Sequence, residues 1–481
     1  MTAGKARLFA AAGLLLHLAF IVSLVTGFLN PLFVEAVQGH GQASDLFGIY
    51  QAGANLLDGY SIYDSDDYLN EAPRAVPFFY FYRYLPPTAY GAALAAALFP
   101  PWTAYWIWIA VNEIMLALAV VSIARRNRFP SGRRWMAAGL WLGFTPFYIE
   151  QIMGQFSFTM AVFLWLLWIW DRTPAPAATI RRAAARAPAK GEPAAAAASR
   201  EANLTPSGSI PALLQRLRDR WRAYRWRKEG WRPARVWLVW AASLVLKTFS
   251  VFLAIPYLRD GRLKRVVAGG AAAVLVCGPY FLWRPADLIE FARLNLAPTA
   301  HRILKGSYGL QTWLTDLMTH LPGDWDATLF ALGRFDVSAA KIVLGLCALV
   351  VFAAACRAAL QLQERPGRRA VDLLLWSAVF FLVFKTVWEY HYVMLLPGLT
   401  AAYLQTGSRF LLGMGILLAL PTLYGATPLL TGVAAHQPLD EWPGWYRIVH
   451  FSVKALPAAV VFIWCLRTAQ RGAAGERTAQ A

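Results

Sequence analysis

Charged side chains are scarce in this chain of 481 residues: they make up 15% of it, and only 27 residues are Asp or Glu. Soluble globular proteins carry about 25% charged residues, because their surfaces face water. Hydrophobic residues make up 58% of the chain, which leaves little polar surface for several soluble domains. The composition therefore indicates that much of the chain lies in lipid.

Cysteine is also rare, and none of the four thiols has the spacing of metal ligands. They lie inside or at the ends of apolar segments and are interpreted as small core hydrophobes: Cys277, Cys347, Cys356 and Cys465. Walker, G-x-S-x-G, HExxH and paired CxxC motifs are missing as well. ATP hydrolysis and a zinc site are therefore not expected, and no cofactor is predicted.

Long apolar runs, in contrast, recur along the whole chain at about 20 residues each, which is what a bilayer core of roughly 30 Å demands of a helix. Since lipid offers no partners to the backbone, these runs are predicted to be helices. The first run, about Leu8 to Phe28, is interpreted as a spanning helix, because it is long for a signal peptide and no A-x-A-like site follows it. The predicted fold class is an all-α polytopic membrane protein, with one transmembrane domain over residues 1–481.

Basic residues mark cytoplasmic loops, so the basic N-terminus is predicted to lie inside the cell, as are the arginines of residues 125–134. Two full crossings before those arginines would place them outside. Pro86–Pro100 is therefore predicted to be a helix lying on the outer surface, and Trp102–Ala124 the second span. Continued to the end, this alternation gives about twelve transmembrane helices in the cell membrane, with both termini cytoplasmic.

The segment Val236–Leu258 has the length of one span, yet the basic residues 259–265 that follow it must lie in the cytoplasm. Lys247 sits in the middle of this apolar run. A broken pair of short helices, up to Lys247 and back down, satisfies both requirements and puts the lysine at an outer turn.

Three loops divide the predicted transmembrane domain. Residues 30–101 are predicted to be an extracytoplasmic catalytic loop with juxtamembrane, interfacial helices, and residues 284–339 a second extracytoplasmic loop. Residues 172–235 form a basic cytoplasmic loop whose Ala/Pro-rich first half has the composition of disorder. The net charge of +19 lies mostly between apolar runs, so nucleic acid is not a predicted partner. Ile210–Arg232 fits equally a helix on anionic lipid and a solvated tether.

Polar groups with chemical potential gather on the predicted outer side. A helix is predicted to begin at Ser44-Asp45, with apolar residues at spacings of three and four until Asp58-Gly59 breaks it. Asp45 has two interpretations. It is an acid in the first turn of a helix, favoured by the macrodipole, or an ionised carboxylate that acts as a general base. From physical chemistry alone, the first is favoured.

Several other polar groups have a structural and a functional interpretation. Phe78–Tyr84 reads FFYFYRY, which suits a membrane-interface belt and equally a sugar-stacking surface beside a phosphate-binding Arg83. The acids of residues 64–67 are interpreted as a solvated turn rather than a divalent-cation site. Lys385 is expected to snorkel, as a lysine near a helix end does. The remaining candidates are ionisable groups at span ends or in outer loops, which line a path, bind an anion or face water: Lys247, His391, Arg293, His301, Arg302 and Lys305.

Taken together, these residues resemble the GT-C superfamily of lipid-linked glycosyltransferases, and most closely glycosyltransferase family 87, which includes polyprenol-phosphate-mannose-dependent α-mannosyltransferases. The resemblance covers most of the chain, but each motif is short. It departs from the family at Lys247-Thr248, where Lys-Pro is common, and at the Trp-Glu-Tyr-His turn. The matching positions, in order, are Asp45, Tyr50, Ala52, Leu56, Gly59, Tyr63, Tyr84, Pro86, Pro87, Gly154, Gln155, Lys247 and His391.

The resemblance implies a GT-C-like fold and a hexosyltransferase that moves a sugar from a polyprenyl-phosphate donor to a hydroxyl of a glycolipid or polysaccharide acceptor at the extracytoplasmic face. Mannose is the sugar that the family favours. Asp45 matches the catalytic acidic position and is expected to be the general base, with inversion at the anomeric carbon. His391 is expected to assist in catalysis or orient the donor phosphate. Donor-phosphate binding is expected of Arg83, Lys247 and Arg302, and substrate binding of Tyr50, Tyr84, Gln155, Trp388 and Glu389.

Two other functions compete with this interpretation. A transporter or flippase of a lipid-linked anion would use Arg83 and Lys247 as clamps, and it predicts mid-membrane charges in several spans and an internal repeat. A membrane scaffold that works through the basic loop would leave the outer cluster of polar residues unexplained.

Overall fold

The computed structural model describes residues 2–33, 41–64, 73–170, 234–296, 303–332, 335–362 and 367–478. Within these ranges the chain is mostly α-helical, and one short antiparallel hairpin supplies the strands. The predicted all-α class is confirmed. The predictions for His301, Arg302 and residues 65–67, and for nearly all of the basic loop 172–235, concern residues outside the described ranges.

The elements before the basic loop are, in chain order, α1 (Ala3–Thr26), α2 (Asn30–Phe33), α3 (Ser44–Leu57), α4 (Pro86–Leu98), α5 (Pro101–Ala124), α6 (Ser131–Leu142), α7 (Thr145–Met153) and α8 (Ser157–Trp170). Those that follow it are α9 (Ala234–Leu246), a 3₁₀ segment (Thr248–Leu253), α10 (Ala254–Arg259), α11 (Leu263–Trp283), α12 (Pro285–Leu296) and α13 (Leu310–Thr319).

The last third begins with strands β1 (Thr328–Leu332) and β2 (Phe335–Ser338), which pair antiparallel with Leu332 opposite Phe335. The helices that follow are α14 (Ala339–Gln361), α15 (Arg368–Val383), a 3₁₀ segment (Glu389–Leu395), α16 (Leu396–Thr406), α17 (Arg409–Ala419), a 3₁₀ turn (Tyr424–Ala426), α18 (Thr427–Thr431), a 3₁₀ turn (Leu439–Glu441) and α19 (Gly444–Thr478).

Among the described residues, five helices are long and apolar enough to cross a membrane: α1, α5, α11, α14 and the Gly444–Arg471 part of α19. A sixth is counted when Arg409–Ala419 and Tyr424–Thr431, which meet at 56°, form one bent span. The prediction of about twelve crossings is therefore not confirmed and stays a prediction. Several of the other expected crossings are short apolar helices, such as α8 and α9.

The predicted break at Lys247 is present. Helix α9 ends at Leu246, Lys247 adopts an extended conformation, and the 3₁₀ segment begins at Thr248. The chain then folds back, because the Ser243 and Ser250 hydroxyl oxygens lie 2.9 Å apart and the Tyr257 ring packs 5.8 Å from that of Trp240. Residues on the two sides of the lysine therefore face each other as in a helical hairpin.

The buried core lies where α6, α8, α15 and α16 meet, and tryptophan supplies much of its volume. Trp141, Trp165 and Trp376 are each at most 1% exposed. The Trp141 indole N–H donates to the Thr400 hydroxyl over 2.7 Å, so this large ring is buried with its polar atom paired. A core of this kind fixes the helices that carry the outer loops.

Two segments that are predicted to lie outside contain the helices that the sequence predicts, whereas one predicted crossing differs. Helix α3 begins at Ser44 and ends before the Asp58-Gly59 turn, and α4 is a 13-residue helix, too short to span a bilayer. The predicted crossing Trp135–Tyr148 is instead two helices, α6 and α7, because the backbone leaves the helical conformation at Gly143 and Phe144. The outermost part of this run is thus a separate short helix.

Polar side chains tie helix ends together at both ends of the helical bundle. At one end, Gln42 beside α3 donates to the carbonyl of Leu24 in the last turn of α1. At the opposite end, Arg134 donates to the carbonyl of Ala124, the last residue of α5. Arg133 at this same end donates to the Leu404 carbonyl over 3.1 Å.

Candidate active site

Asp45 lies in the first turn of α3, and a neighbouring helix fixes that turn. Ala43, which precedes the helix, is in the left-handed region with φ of 72°, and its N–H donates to the Ile152 carbonyl over 2.7 Å. Gly154 ends α7 with φ of 71°, and a Cβ on it would lie 2.6 Å from the Cβ of Leu46. The start of α3 is therefore held against the end of α7 by a backbone bond and a glycine contact.

The Asp45 side chain is partly buried, and its Oδ2 atom is closed off from solvent with no hydrogen-bond partner among the described residues. Burial raises the pKa of Asp45 from 3.8 to about 6. The Gln155 amide, the Lys247 ammonium, the Tyr390 hydroxyl and the Arg83 guanidinium oppose that shift. A carboxylate with a raised pKa and a free oxygen accepts protons more readily than an exposed aspartate does.

Gln155 is oriented by two aromatic side chains. The Tyr84 hydroxyl donates to Gln155 Oε1 over 2.7 Å, and the Trp108 indole N–H donates to the Gln155 carbonyl over 3.2 Å. Because the amide oxygen is taken by Tyr84, the amide nitrogen is the group that Gln155 offers to Asp45. The predicted pair Tyr84 and Gln155 thus belongs to the same site as Asp45.

Lys247 reaches this site from the tip of the α9 hairpin. Its Nζ donates to the Ser157 hydroxyl over 2.6 Å and lies 5.6 Å from the centre of the Tyr390 ring. The carboxylates of Glu150 and Asp45 are close enough to act on its charge. The residue as a whole is partly exposed.

His391 enters from the 3₁₀ segment that follows α15. The Trp388 backbone N–H donates to His391 Nδ1 over 3.2 Å, so the neutral ring carries its proton on Nε2. Burial, and then the charge of Lys247, hold the pKa of His391 well below its usual value. A neutral imidazole with Nε2–H is a hydrogen-bond donor, which suits contact with a phosphate oxygen better than proton abstraction.

The structure brings some of the predicted site residues together and holds others elsewhere. Arg83 is exposed, yet close enough to Asp45 to affect its pKa, so it forms the rim of the site. Tyr50 is buried and donates to the Phe99 carbonyl over 2.8 Å, which ties α3 to the end of α4. The Trp388 ring packs on Gly306, where a Cβ would lie 2.5 Å from it. These last two contacts are structural.

Glu389 also has a structural partner. Its carboxylate lies 3.2 Å from the Lys454 ammonium, and both side chains are at most 5% exposed. The same ammonium donates to the Leu418 carbonyl over 2.7 Å. A buried charge is expensive unless it is paired, so this ion pair fixes the His391 segment on α19.

Lys305, a candidate anion ligand, and Lys385, which was expected to snorkel, both lie among internal contacts. Lys305 is buried, donates to the Ala435 carbonyl over 3.1 Å and lies 5.5 Å from the Trp442 ring centre. Lys385 is partly buried beside Ser307 and Thr312, which both donate to its backbone carbonyl. Arg293 is exposed beside Glu290. Within the described ranges, no three His, Cys, Asp or Glu side chains are grouped as metal ligands would be.

Glu150 is the site residue that sequence reasoning missed. It is completely buried in α7, its Oε1 accepts the Phe158 N–H over 2.8 Å, and its charge acts on Lys247, Tyr84 and Tyr390. A signal was available, because Glu150 is the only charged residue between Arg134 and Asp171. A lone acid in so long an apolar run is a candidate functional group.

The site therefore contains two carboxylates, two cations and a neutral histidine at one end of a helical bundle. No protein-family model matches the chain, and no curated protein matches its sequence. The class that the fold defines is an α-helical membrane protein.

Proposed function

We propose that the chain is a membrane glycosyltransferase that moves a sugar, mannose by its resemblance to glycosyltransferase family 87, from a polyprenyl-phosphate donor to a hydroxyl of a glycolipid or polysaccharide. One observation carries the proposal. Three segments far apart in sequence bring an acid with a raised pKa, Asp45, beside the cations Arg83 and Lys247. A base next to an anion site is what transfer from a sugar phosphate requires.

In the proposed reaction, the acceptor oxygen bonds to the anomeric carbon while the bond from that carbon to the donor phosphate oxygen breaks. The acceptor proton passes to Asp45. The electron pair leaves with polyprenyl phosphate, whose growing negative charge Lys247, Arg83 and the Nε2–H of His391 stabilise. Attack from the face opposite the phosphate inverts the anomeric carbon.

The surroundings of Asp45 support its role as base. Desolvation raises its pKa to about 6, so the carboxylate is still mostly ionised at neutral pH but binds a proton more strongly than an exposed aspartate. The Gln155 amide and the Tyr390 hydroxyl lie around it as orienting groups. On this proposal, Tyr84 supports Gln155, and the exposed aromatic side chains near Arg83 offer faces on which a sugar stacks.

The test is release of polyprenyl phosphate from labelled polyprenyl-phosphate-mannose by the purified protein in the presence of a panel of glycolipid acceptors. Asp45→Asn keeps the shape of the side chain and removes the base, so we expect a loss of about 10²–10⁴-fold. The matched control is Asp58→Asn at the other end of α3, where the carboxylate is exposed and pairs with Arg74 at 2.7 Å. Wild-type rates in Asp45→Asn would overturn the proposal.

A transporter of a lipid-linked anion is the second candidate, and one observation favours it. His17 of α1 lies 2.8 Å from Glu113 of α5, within two candidate spans, and Gln151 donates to the same glutamate over 3.0 Å. Ionisable groups inside spans often mark a transport path. Movement of a labelled polyprenyl-phosphate sugar across liposomes, equal in wild type and Asp45→Asn, would favour transport over transfer.

A further inference from the structure

Glu150 is a buried carboxylate that acts on the charge of Lys247, and the proposed reaction gives it no role. Glu150 Oε1 is occupied by the Phe158 N–H, while Oε2 is buried and has no hydrogen-bond partner among the described residues. The Ser157 hydroxyl, which accepts from Lys247 over 2.6 Å, lies seven residues after the glutamate, at the start of the next helix. The site thus holds a carboxylate oxygen and an ammonium that are both incompletely bonded.

Counting charges shows a conflict when a lipid phosphate enters. Lys247 already faces two carboxylates, Glu150 and Asp45, and Arg83 lies at the exposed rim. A sugar phosphodiester adds one negative charge, and the polyprenyl phosphate that leaves carries up to two. Two cations, Lys247 and Arg83, then face three anionic groups. Because like charges repel strongly where water is excluded, the site is left with excess negative charge.

Protonation of one carboxylate removes the conflict. Asp45 must stay ionised to act as base, and it is partly exposed. Glu150 is fully buried, so it is the carboxylate that gains most from becoming neutral. Burial also raises the pKa of Glu150, with Lys247 opposing the shift and Asp45 adding to it.

We propose that Glu150 is a positioning residue that takes up one proton from solvent when a lipid-linked phosphate binds at Lys247, and releases it when polyprenyl phosphate leaves. This inference rests on the proposed function for its ligand. The uptake converts Oε2 from an acceptor into an O–H donor and leaves the Lys247 charge free for the phosphate. No bond to the sugar is made or broken by Glu150.

Titratable and polar groups face Glu150 from several elements around it. Most of them are not expected to change charge when the ligand binds. Gln151, its neighbour in α7, separates it from the ion pair of α1 and α5 by hydrogen bonding to Glu113. The groups are Asp45 of α3, Tyr84 of the aromatic segment, Ser157 of α8, Lys247 at the hairpin tip, Tyr390 of the 3₁₀ segment, Glu113 of α5 and His17 of α1.

The experiment is calorimetric titration of polyprenyl phosphate into the purified protein at about pH 8, in two buffers whose ionisation enthalpies differ, which gives the number of protons taken up. Wild type is expected to take up a fraction of a proton approaching about one, with affinity that weakens up to about tenfold per pH unit above the titration of Glu150. In Glu150→Gln, which imitates the protonated acid, the carboxyl proton acceptor is gone, and any uptake that remains belongs to Lys247, which has lost a neighbouring carboxylate.

Two controls assign the proton. Asp45→Asn is expected to reduce the uptake without abolishing it, because the variant removes one negative charge but leaves Glu150 beside the polyprenyl phosphate. An infrared difference spectrum is expected to show a protonated-carboxyl band when ligand is added to wild type, and to lack it in Glu150→Gln, which separates Glu150 from Lys247 as the acceptor. A protonated-carboxyl band that is missing in wild type or that survives in Glu150→Gln, or an uptake that disappears in Asp45→Asn, would overturn the inference.

The outcomes also separate this inference from the proposed function. Binding of polyprenyl phosphate without proton uptake would overturn the role of Glu150 and leave the glycosyltransferase standing. Failure of wild type to bind polyprenyl phosphate would remove both. Inorganic phosphate is the second ligand, and equal binding with equal uptake would overturn the assignment of the site to a lipid-linked phosphate.

Discussion

At the scale of single residues, Asp45 combines two effects that oppose each other. Its pKa in the folded protein is about 6, above the ordinary value of 3.8, because burial disfavours the charged form. The folded state therefore binds a proton more tightly than the unfolded state does between these two values. Ionised Asp45 therefore lowers the free energy of unfolding above about pH 6. This destabilisation disappears below the pKa that Asp45 has in the unfolded chain.

We therefore expect Asp45→Asn to stabilise the detergent-solubilised protein at about pH 7.5 by something on the order of 2 kcal/mol, although it removes activity. Below about pH 4 the gain should vanish, because aspartic acid and asparagine are then both neutral. Thermal unfolding at several pH values measures this difference. Asp58→Asn, which removes an exposed acid, serves as the control and should show no such pH-dependent gain. Equal shifts in both variants would contradict the assignment.

The pH dependence of the transfer rate also follows from Asp45, but the rate falls at low pH, where stability rises. A general base works only when ionised, so kcat/KM for donor turnover should fall as pH drops through about 6, the pKa of Asp45. Rates measured with saturating acceptor and low donor between about pH 5 and 8 test this. If the rate fell only near pH 4, the base would be an exposed carboxylate with an ordinary pKa.

Sequence reasoning reached Asp45, Lys247 and His391 but missed Glu150, and the reason is physical. Asp45 has a local signature, since it begins an amphipathic helix. Glu150 has none beyond being a lone acid, because its role depends on burial against α8 and the hairpin tip, which are distant in sequence. Its neighbours Tyr390 and Ser157 carry no charge, and pattern reading gives such residues no weight.

At the scale of elements, the α3–α4 hairpin shows how small residues set the position of the site. A Cβ at Gly53 of α3 would overlap the backbone of Ala92 and Ala93 in α4. Gly91, in α4 itself, has nothing within 4 Å of its would-be Cβ. Gly53 is therefore required for the close contact between α3 and α4, whereas Gly91 is not.

Gly53→Ala is expected to destabilise the protein by about 1–3 kcal/mol and to reduce transfer, because α4 must move away from the helix that carries Asp45. Gly91→Ala is expected to be neutral or stabilising by about 0.5–1 kcal/mol, since alanine favours the helix. Thermal unfolding and the transfer assay measure both variants. Similar stability of the two would show that the hairpin is packed more loosely than the structure has it.

The break at Lys247 was predictable because it is a matter of parity: basic residues follow an apolar run that contains a lysine at its centre. The contacts by which the chain folds back on itself were not predictable from the sequence. The pairing of Ser243 with Ser250 and the packing of Trp240 on Tyr257 are tertiary contacts. Likewise, the split between α6 and α7 follows from a bend at Gly143-Phe144 in a run that reads as one helix.

At the scale of the whole molecule, the all-α class follows from composition, and the number of crossings does not. Five helices, or six with the bent pair, pass the length and composition requirement among the described residues. Short helices such as α8 and α9 cannot be assigned by length alone, because packing inside the protein lets a short helix stay in the membrane. The orientation of the bundle in the membrane stays a prediction, which rests on the positions of basic residues in the sequence.

That orientation is testable by labelling. In a variant whose four native cysteines are replaced, a cysteine introduced at the exposed Arg83 should react with an impermeant maleimide added to intact cells. A cysteine introduced at Arg128, beyond the last residue of α5, should react only after the membrane is opened. Labelling in the reverse pattern would place the site in the cytoplasm and end the case for a donor used outside the cell.

The short hairpin at Lys247 has a geometric consequence. Helix α9 has 13 residues and rises about 20 Å, while a bilayer core is roughly 30 Å thick. If the hairpin starts at the cytoplasmic surface, its tip stops about 10 Å below the outer surface and leaves a recess in that leaflet. A substrate with a long isoprenoid tail would then reach Lys247 by lateral diffusion, with its tail always in the hydrocarbon core of the bilayer. A hydrophilic acceptor would enter the recess from the aqueous phase outside.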